Sequence, residues 1–421
     1  MKFNISIIGL GYIGLPLAIE FSRYFNVIGF DIDKKRVKEL NKGIDRTKET
    51  VIKKNFSKKF YFTNNLEELK NSNVFIITVP TPVMINNKPD LSYLKKASEI
   101  VAKNLKTSSI VIYESTVYPG CTEEYCCPIL ERLSGLKLNK DFYLGYSPER
   151  INPGDNKHKI KDIVKIVSGS NAHSLDLIKK LYSKIIKAGL HVAESIKIAE
   201  AAKVIENIQR DINIAFINEC SLIFKRLNIN SSKVLKAAET KWNFMPFKPG
   251  LVGGHCIGVD PYYLTYKAKK LKYNPKVILA GRKINNGMSF YIAKQVVEVL
   301  KKTDENLKKK KVLILGLSFK ENCTDIRNSK VFDIINYLQK KKIKTDVYDP
   351  IIDRSNIIKE HRINLLTRLE KKNYYDIIIL AVPHLTFLSM GIKKIKKFGN
   401  KNLKIFDLKS VFSSTETYWQ M

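Results

Sequence analysis

The chain has 421 residues, 44% of them hydrophobic and 10% aromatic. That suffices for two or three domains with their own cores and excludes a disordered chain. The formal charge is +34, but 62 of the 74 basic residues are lysines spread through every segment. This pattern describes a solvated surface that attracts phosphate-bearing ligands, and argues against a nucleic-acid partner, which calls for clustered arginine and aromatic contacts. The longest apolar runs, such as residues 377–382, are far too short to cross a bilayer, and the N-terminal residues 5–10 fit a strand and turn better than a leader. A cytoplasmic protein without membrane insertion is expected. Six cysteines in this length form no disulfide framework, and none has zinc spacing, so no metal is expected.

In chain order, residues 4–9, 26–31, 74–79 and 109–114 are short β-branched or apolar runs with amphipathic stretches between the first several. Such alternation implies parallel βαβ units. From about 193 to 227 the pattern becomes one long helix, with Ala199, Ala202, Ile205, Ile208, Ile212 and Ala215 recurring at steps of three and four. A second helical block covers about 285–302, and the lysine-rich residues 301–311 read as a linker. Strands follow at 311–317, 345–348, 375–382 and 403–408. The expected fold is therefore α/β, with two Rossmann-like parallel-sheet domains joined by a long central helix. The predicted boundaries are 1–192, 193–304 and 305–421.

Gly9-Leu-Gly11-Tyr12-Ile13-Gly14 is a GxGxxG sequence placed after an apolar strand and before a helix with Pro16 in its first turn. In that context the glycines make a tight turn, let a pyrophosphate approach the backbone and allow close helix–strand packing. The helix N-terminus supplies amide donors and partial positive charge. The next strand ends at Asp31, whose carboxylate accepts ribose hydroxyls and repels a 2′-phosphate, which favours NAD. Arg36 keeps NADP open, since arginine holds either an adenine face or a phosphate. Thr81, within Val79-Pro-Thr-Pro82, and Ser115-Thr116 lie at the C-terminal edge of the same sheet, where open α/β folds bind ligands.

The segment from Pro249 to Asp260 carries several glycines around Cys256. A buried structural cysteine does not need such a turn, whereas a nucleophilic thiol exposed to backbone amides and a nearby cation does. Asp260, four residues on, shares a face with Cys256 if the turn opens a helix. His255 neighbours Cys256 in sequence, tends to point elsewhere, and is read as structural rather than as a base. On the long helix Lys203, Asn207 and Arg210 stand at i, i+4 and i+7 and share a face. A solvated stripe is the ordinary meaning of that spacing. With alanines and isoleucines on most other sides, a buried lysine beside an asparagine instead suggests an oxyanion clamp.

Together with Glu114-Ser-Thr-Val-Tyr-Pro-Gly120, Ser147-Pro-Glu-Arg150, Glu200-Ala-Ala-Lys-Val-Ile-Glu-Asn207, Gly253-Gly-His-Cys256 and residues 316–327, these motifs make the chain resemble the UDP-glucose/GDP-mannose dehydrogenase family. The resemblance runs in order from residue 3 to about 410. It implies an NAD domain, a helical dimerisation segment giving a homodimer, and a nucleotide-sugar domain. It also implies a four-electron oxidation of a sugar C6 alcohol by two NAD. By resemblance, Cys256 traps the aldehyde as a thiohemiacetal that becomes a thioester, and Lys203 and Asn207 stabilise the oxyanion. Asp260, Thr116 and Glu149 position or activate water, while Lys320 and Arg327 lie near nucleotide sugar and cofactor, with Gly253 beside the substrate.

Glucose-specific members continue the Ser-Pro-Glu motif with a second glutamate, whereas this chain has Arg150-Ile-Asn-Pro-Gly154. With Gln209-Arg-Asp211 and the residues after Cys256, this resembles the subgroup acting on UDP-N-acetylhexosamines in capsular polysaccharide pathways. Arg150 and Arg210 then face the N-acetylated sugar or its phosphates. UDP-N-acetylglucosamine or UDP-N-acetylgalactosamine is the expected substrate, with UDP-N-acetylmannosamine and UDP-glucose as alternatives. The rival enzyme is a two-electron β-hydroxyacid dehydrogenase, and the non-enzyme rival is a basic nucleic-acid-binding module on a Rossmann fold.

Overall fold

The computed structural model describes residues 2–47, 50, 52, 60–151, 159–354 and 363–421. Residues 152–154, which carry part of the departure after Ser-Pro-Glu, lie outside them. The chain divides into two compact units, Met1–Glu206 with Tyr262–Asn274, and Asn207–Pro261 with Pro275–Met421.

The first unit is built on β1 (Asn4–Ile8), β2 (Asn26–Phe30), β3 (Phe60–Thr63), β4 (Val74–Ile77), β5 (Ser109–Tyr113), β6 (Phe142–Tyr146), β7 (Lys165–Gly169) and β8 (Leu190–Val192). They form one sheet in the order β3-β2-β1-β4-β5-β6-β7-β8, parallel except where β6 meets β7. Its helices include α1 (Gly14–Ser22), α2 (Lys34–Asn41), α3 (Ser92–Ala102), α4 (Cys127–Ser134) and α5 (Ala172–Tyr182). Parallel strands are covered on both faces, which is why their sequences are runs of Ile and Val rather than alternations. Ile5, Ile7, Val27, Val74, Ile76, Ile110 and Ile112 all sit in one buried cluster.

The helix α6 (Ile196–Arg226) falls within three residues of its expected ends. It is less enclosed than its apolar spacing suggests. Ile198, Ile205, Phe216 and Ile223 are 47–58% exposed, so Ile205 is not the core position its periodicity implied. After α7 (Ser231–Ala238) and α8 (Asp260–Lys270), α9 runs from Lys276 to Lys301. It begins nine residues before the expected block. The glycine and charges near its start broke the apolar period, yet Gly281 faces Ala215 and Ile212, and Arg282 is buried against Asp211 at 2.6 Å. Asp211 is thus a structural anion.

The second unit's sheet contains β9 (Lys311–Leu315), β10 (Lys344–Tyr348), β11 (Asn364–Leu365), β12 (Tyr375–Leu380), β13 (Gly399–Asp407) and β14 (Trp419–Gln420). Its order is β11-β10-β9-β12-β13-β14, all parallel. α10 (Val331–Lys340) and α11 (Leu385–Lys396) pack on it. Both units are thus doubly wound sheets, as the sequence predicts, and every predicted strand except that at 345–348 ends one or two residues earlier than its apolar run. None of the described helices is long and apolar enough to cross a membrane.

Candidate functional site

In the first unit the glycine turn joins β1 to α1. Gly9 has φ +98°, a region that L side chains avoid. A Cβ on Gly14 would stand 1.8 Å from the Gly9 carbonyl, whereas one on Gly11 meets nothing within 4 Å. Gly14 is therefore required by packing, and Gly11 leaves open space at the N-terminus of α1, beside Tyr12 and Ile13. Among the turn's neighbours is Thr78, which sequence reasoning missed. Its hydroxyl donates to the Gly9 carbonyl at 2.7 Å.

Asp31 follows β2 and accepts from the Leu10 amide at 2.8 Å and the Asp33 amide at 2.9 Å. These amides aim the carboxylate while leaving it partly exposed. A cleft of about 290 Å³ opens beside it, with Gly9, Gly11, Asp31, Ile32, Val79 and Tyr93 in its wall. Its lining is mostly apolar, with one carboxylate and a backbone turn, which fits an adenosine with its ribose and pyrophosphate. Arg36 is a correction to its expected contact. It is 4% exposed, donates to the Leu10 carbonyl at 2.9 Å and pairs with Asp45 at 2.8 Å. A guanidinium so engaged braces the turn.

The strand ends beside this turn are knit together. The Ser115 hydroxyl donates to the Val79 carbonyl at 2.6 Å, and that of Thr81 to the Thr116 carbonyl at 2.8 Å. The Tyr263 hydroxyl donates to the Thr81 carbonyl. Ser115 is thereby buried, while Thr116 keeps partial exposure. Glu200 fixes the following turn by accepting from the amides of Gly120 and Thr122. Burial raises its carboxyl to about 7 against these hydrogen bonds.

Glu149 is buried and accepts from the Arg150 amide at 2.6 Å. Its other oxygen lies 3.5 Å from the ammonium of Lys165, which also pairs with Glu114 at 2.6 Å. Burial opposes the Lys165 charge, but the two carboxylates outweigh it and the net shift is upward. Burial holds Glu114 above the ordinary carboxylate range despite that cation. Nothing in the sequence marks Lys165, since a lysine at a strand start reads as surface. Arg150 bonds the Val164 carbonyl at 2.8 Å and pairs with Glu206 at 2.8 Å. Lys203 is 9% exposed, so burial of this lysine is as expected.

In the second unit, residues 254–259 form turns leading into α8. The Cys256 carbonyl accepts from the amides of Val259 at 2.9 Å and Asp260 at 2.8 Å. Asp260 is therefore the first residue of the helix, one turn after Cys256. Its carboxylate, 3% exposed, accepts from the Asn207 amide at 2.5 Å. Asn207 and Asp260, selected separately from sequence, are brought together. Arg210, on the same helix, is exposed.

The glycines here need a different explanation from the expected approach of a ligand. A Cβ on Gly253 would meet the Asn328 carbonyl at 2.7 Å, and one on Gly254, at φ +81°, would meet the Phe319 ring at 2.7 Å. What approaches is the chain's own 317–330 loop, which puts Gly253 in backbone packing. That loop also brings Asp325 and Arg327 to the cysteine turn. Asp325 is 3.3 Å from His255 Nδ1 and accepts from Arg327 at 2.6 Å. His255 Nδ1 also stands 3.4 Å from Arg327 Nη2, so the ring is engaged by this loop. Lys320 lies 5.8 Å from the Phe319 ring centroid.

Of the six cysteines, Cys121, Cys126, Cys127 and Cys323 are buried, and Cys220 and Cys256 are half-buried. Burial pushes the Cys220 thiol up.

Models of the UDP-glucose/GDP-mannose dehydrogenase family match three stretches: the NAD binding domain at residues 3–186, the central domain at 197–287 and the UDP binding domain at 313–414. The chain is 51% identical over 417 residues to a UDP-N-acetyl-D-glucosamine 6-dehydrogenase of Salmonella typhi, covering 99% of this chain and 98% of that protein. It is 52% identical over 407 residues to one of Pseudomonas aeruginosa, covering 96% of each. A solved UDP-D-ManNAc dehydrogenase structure from Pyrococcus horikoshii superposes with a TM-score of 0.88 at 31% identity, covering 99% of this chain and 98% of that one.

Proposed function

This chain belongs to the UDP-glucose/GDP-mannose dehydrogenase family and is an NAD-dependent nucleotide-sugar 6-dehydrogenase. From that premise we propose that it oxidises the C6 alcohol of UDP-N-acetylglucosamine to the carboxylate through a thioester on Cys256. The observation that carries the chemistry is the contact of Asn207 with Asp260, one helical turn from Cys256. The names of relatives at 51% and 52% identity support the substrate.

NAD, when bound, accepts the hydride of each oxidation. Gly9, Gly11, Tyr12, Ile13 and Gly14 hold its pyrophosphate with the amides of the α1 N-terminus, and Asp31 takes its ribose. Lys203 and Asn207 stabilise charge on the sugar O6. Cys256 attacks the aldehyde, and Asp260, Thr116 and Glu149 order the water that opens the thioester. Arg150, Arg210 and Lys320 serve the nucleotide sugar, and the protein works in the cytoplasm. The exposed residues Ile198, Ile205, Phe216 and Ile223 on α6 recur at steps of seven and eleven, a stripe suited to a second copy of the helix. Sedimentation should give twice the 48.3 kDa chain mass.

The deciding assay offers UDP-linked glucose, N-acetylglucosamine, N-acetylgalactosamine and N-acetylmannosamine in turn and counts NADH. Two NADH per uronate, fastest with the N-acetylglucosamine compound, is the expected result. One NADH with an accumulating aldehyde would sink the four-electron reading. Cys256→Ser should leave the fold intact and form no carboxylate.

A further inference from the structure

Lys165 is a buried cation in the first unit that the proposed mechanism does not use. A lysine opening a strand ordinarily carries its charge to solvent, yet Lys165 starts β7 at 3% exposure. Its ammonium lies 2.6 Å from Glu114 Oε2 and 3.5 Å from Glu149 Oε2, between two carboxylates that are themselves buried. The Tyr182 ring centroid is 5.5 Å from the same ammonium, and the Tyr182 hydroxyl donates to Glu114 Oε1.

The two carboxylates are held differently. Glu114, just after β5, uses both oxygens inside the cluster, one on Lys165 and one on Tyr182. Glu149 directs Oε1 at the amides of Arg150 and Ile151, at 2.6 and 2.5 Å. A carboxylate oxygen has two lone-pair positions, so Oε1 is filled and a further donor such as water has to bond Oε2. Lys165 stands at that same oxygen, and at 3.5 Å it acts as a charge more than as a hydrogen-bond donor. The Arg150 guanidinium is engaged elsewhere, by the Val164 carbonyl and Glu206. Lys165 from β7, Glu114 after β5 and Tyr182 from α5 thus face Glu149. Burial holds Glu114 above the ordinary carboxylate range even with Lys165 beside it. Without the ammonium, two carboxylates share a dry site, where they repel and draw a proton.

We propose that Lys165 is a positioning residue for Glu149: set between Glu114 and Glu149, it keeps the Glu149 carboxylate ionised and leaves one lone pair of Oε2 for the water that opens the thioester. The inference rests on the reading above, in which Glu149 orders that water. In the step concerned, water adds to the thioester carbon and one of its protons passes to Glu149 Oε2. The C–S bond breaks with its pair returning to the Cys256 sulfur, and the second proton is released as the carboxylate forms. Lys165 keeps its own protons throughout and acts through charge alone.

The test is the pH profile of kcat for the full-length enzyme, with NAD and the fastest of the four UDP-sugars named above. In Lys165→Met, kcat at pH 7 should fall about tenfold or more and its acidic limb should rise by about one pH unit. The KM for NAD should stay within about twofold, and Lys165→Arg should recover most of the lost rate. Glu114→Gln removes the competing charge but leaves Tyr182 an acceptor, so it should move the limb the opposite way, by less. A lysine that only held the fold together would not produce shifts of opposite sign. A Lys165→Met protein with wild-type melting behaviour and an unchanged profile would overturn the proposal. If Lys165→Met does not fold, a limb that stays put or rises in Glu114→Gln does the same. Undiminished turnover in Glu149→Gln would instead remove Glu149 from the mechanism, and the role of Lys165 with it. Slow turnover in Glu149→Gln beside a normal Lys165→Met would sink the role of Lys165 alone, so the two failures are distinguishable.

Discussion

The two sheets use one turn for two purposes. In each, the strand ends at a glycine with positive φ, Gly9 at +98° and Gly316 at +91°. In each, the glycine amide donates across to the neighbouring strand, at 2.8 Å to Phe30 and 2.9 Å to Tyr348. An aspartate then accepts from the residue after the glycine, Asp31 from Leu10 at 2.8 Å and Asp349 from Leu317 at 2.7 Å. The repetition ends there. Asp31 keeps partial exposure, whereas Asp349 is 1% exposed and closed over by His384 at 3.1 Å. The first turn enters its helix five residues after the glycine, at Gly14, but the second takes fifteen residues to reach α10. The same backbone device therefore leaves a carboxylate open in one unit and consumes it internally in the other. The longer loop released in the second unit carries Phe319, Asp325 and Arg327 to the cysteine turn.

This contrast is best broken at the two aspartates. Asp349→Ala should have the largest effect, costing about 2–4 kcal/mol of stability, because it strands buried amides and His384. Urea titration measures this, and the KM for NAD should stay within about twofold. Burial opposes charge on Asp349, but His384 and the amides of Leu317 and Ile351 keep its carboxyl below the ordinary range. A carboxyl lowered in the folded state contributes stability above its unfolded pKa of about 3.9, lost as pH falls. The gap between wild type and Asp349→Ala should accordingly close in acid.

Asp31→Ala should show the opposite balance. The KM for NAD should rise about tenfold to fiftyfold, equivalent to about 1.4–2.3 kcal/mol, with under about 1 kcal/mol lost in the same urea titration. Equal stability losses at the two positions would remove the distinction between an offered and a consumed carboxylate.

The smallest effect concerns the loop. His255 has its pKa raised on folding to about 9, so its contribution is complete below the unfolded value near 6.5 and disappears as pH rises through about 9. His255→Gln should be less stable than wild type by about 1–2 kcal/mol at pH 6 and equal to it near pH 10. Melting curves across that range test the sign.

Much of the first unit was legible because each signal was local. The glycines, the following carboxylate and the apolar strands lie within a few residues of one another, and the sheet reproduces them. The long helix was legible through its period, although the period overstated its burial at Ile205. What escaped depended on residues far apart in sequence. Lys165 is meaningful only against Glu114 and Glu149, and His255 only once the 317–330 loop has placed Asp325 beside it. The early start of α9 was hidden because Gly281 and Arg282 look like helix breakers and surface until Ala215 and Asp211 are opposite them. Cys256 stood out by its glycines, but these are explained by the approach of Asn328 and Phe319.

Arg36 ties the choice of cofactor to the rigidity of the turn. Replacing Asp31 to admit a phosphorylated ribose would remove an acceptor without freeing Arg36, which remains bound to Asp45 and the Leu10 carbonyl. Freeing it means changing Asp45 as well, and that loosens the backbone of the glycine turn. Redirecting this enzyme to another reducing-equivalent pool is therefore a problem of rebuilding a loop, in which single substitutions pass through weaker binders of both cofactors.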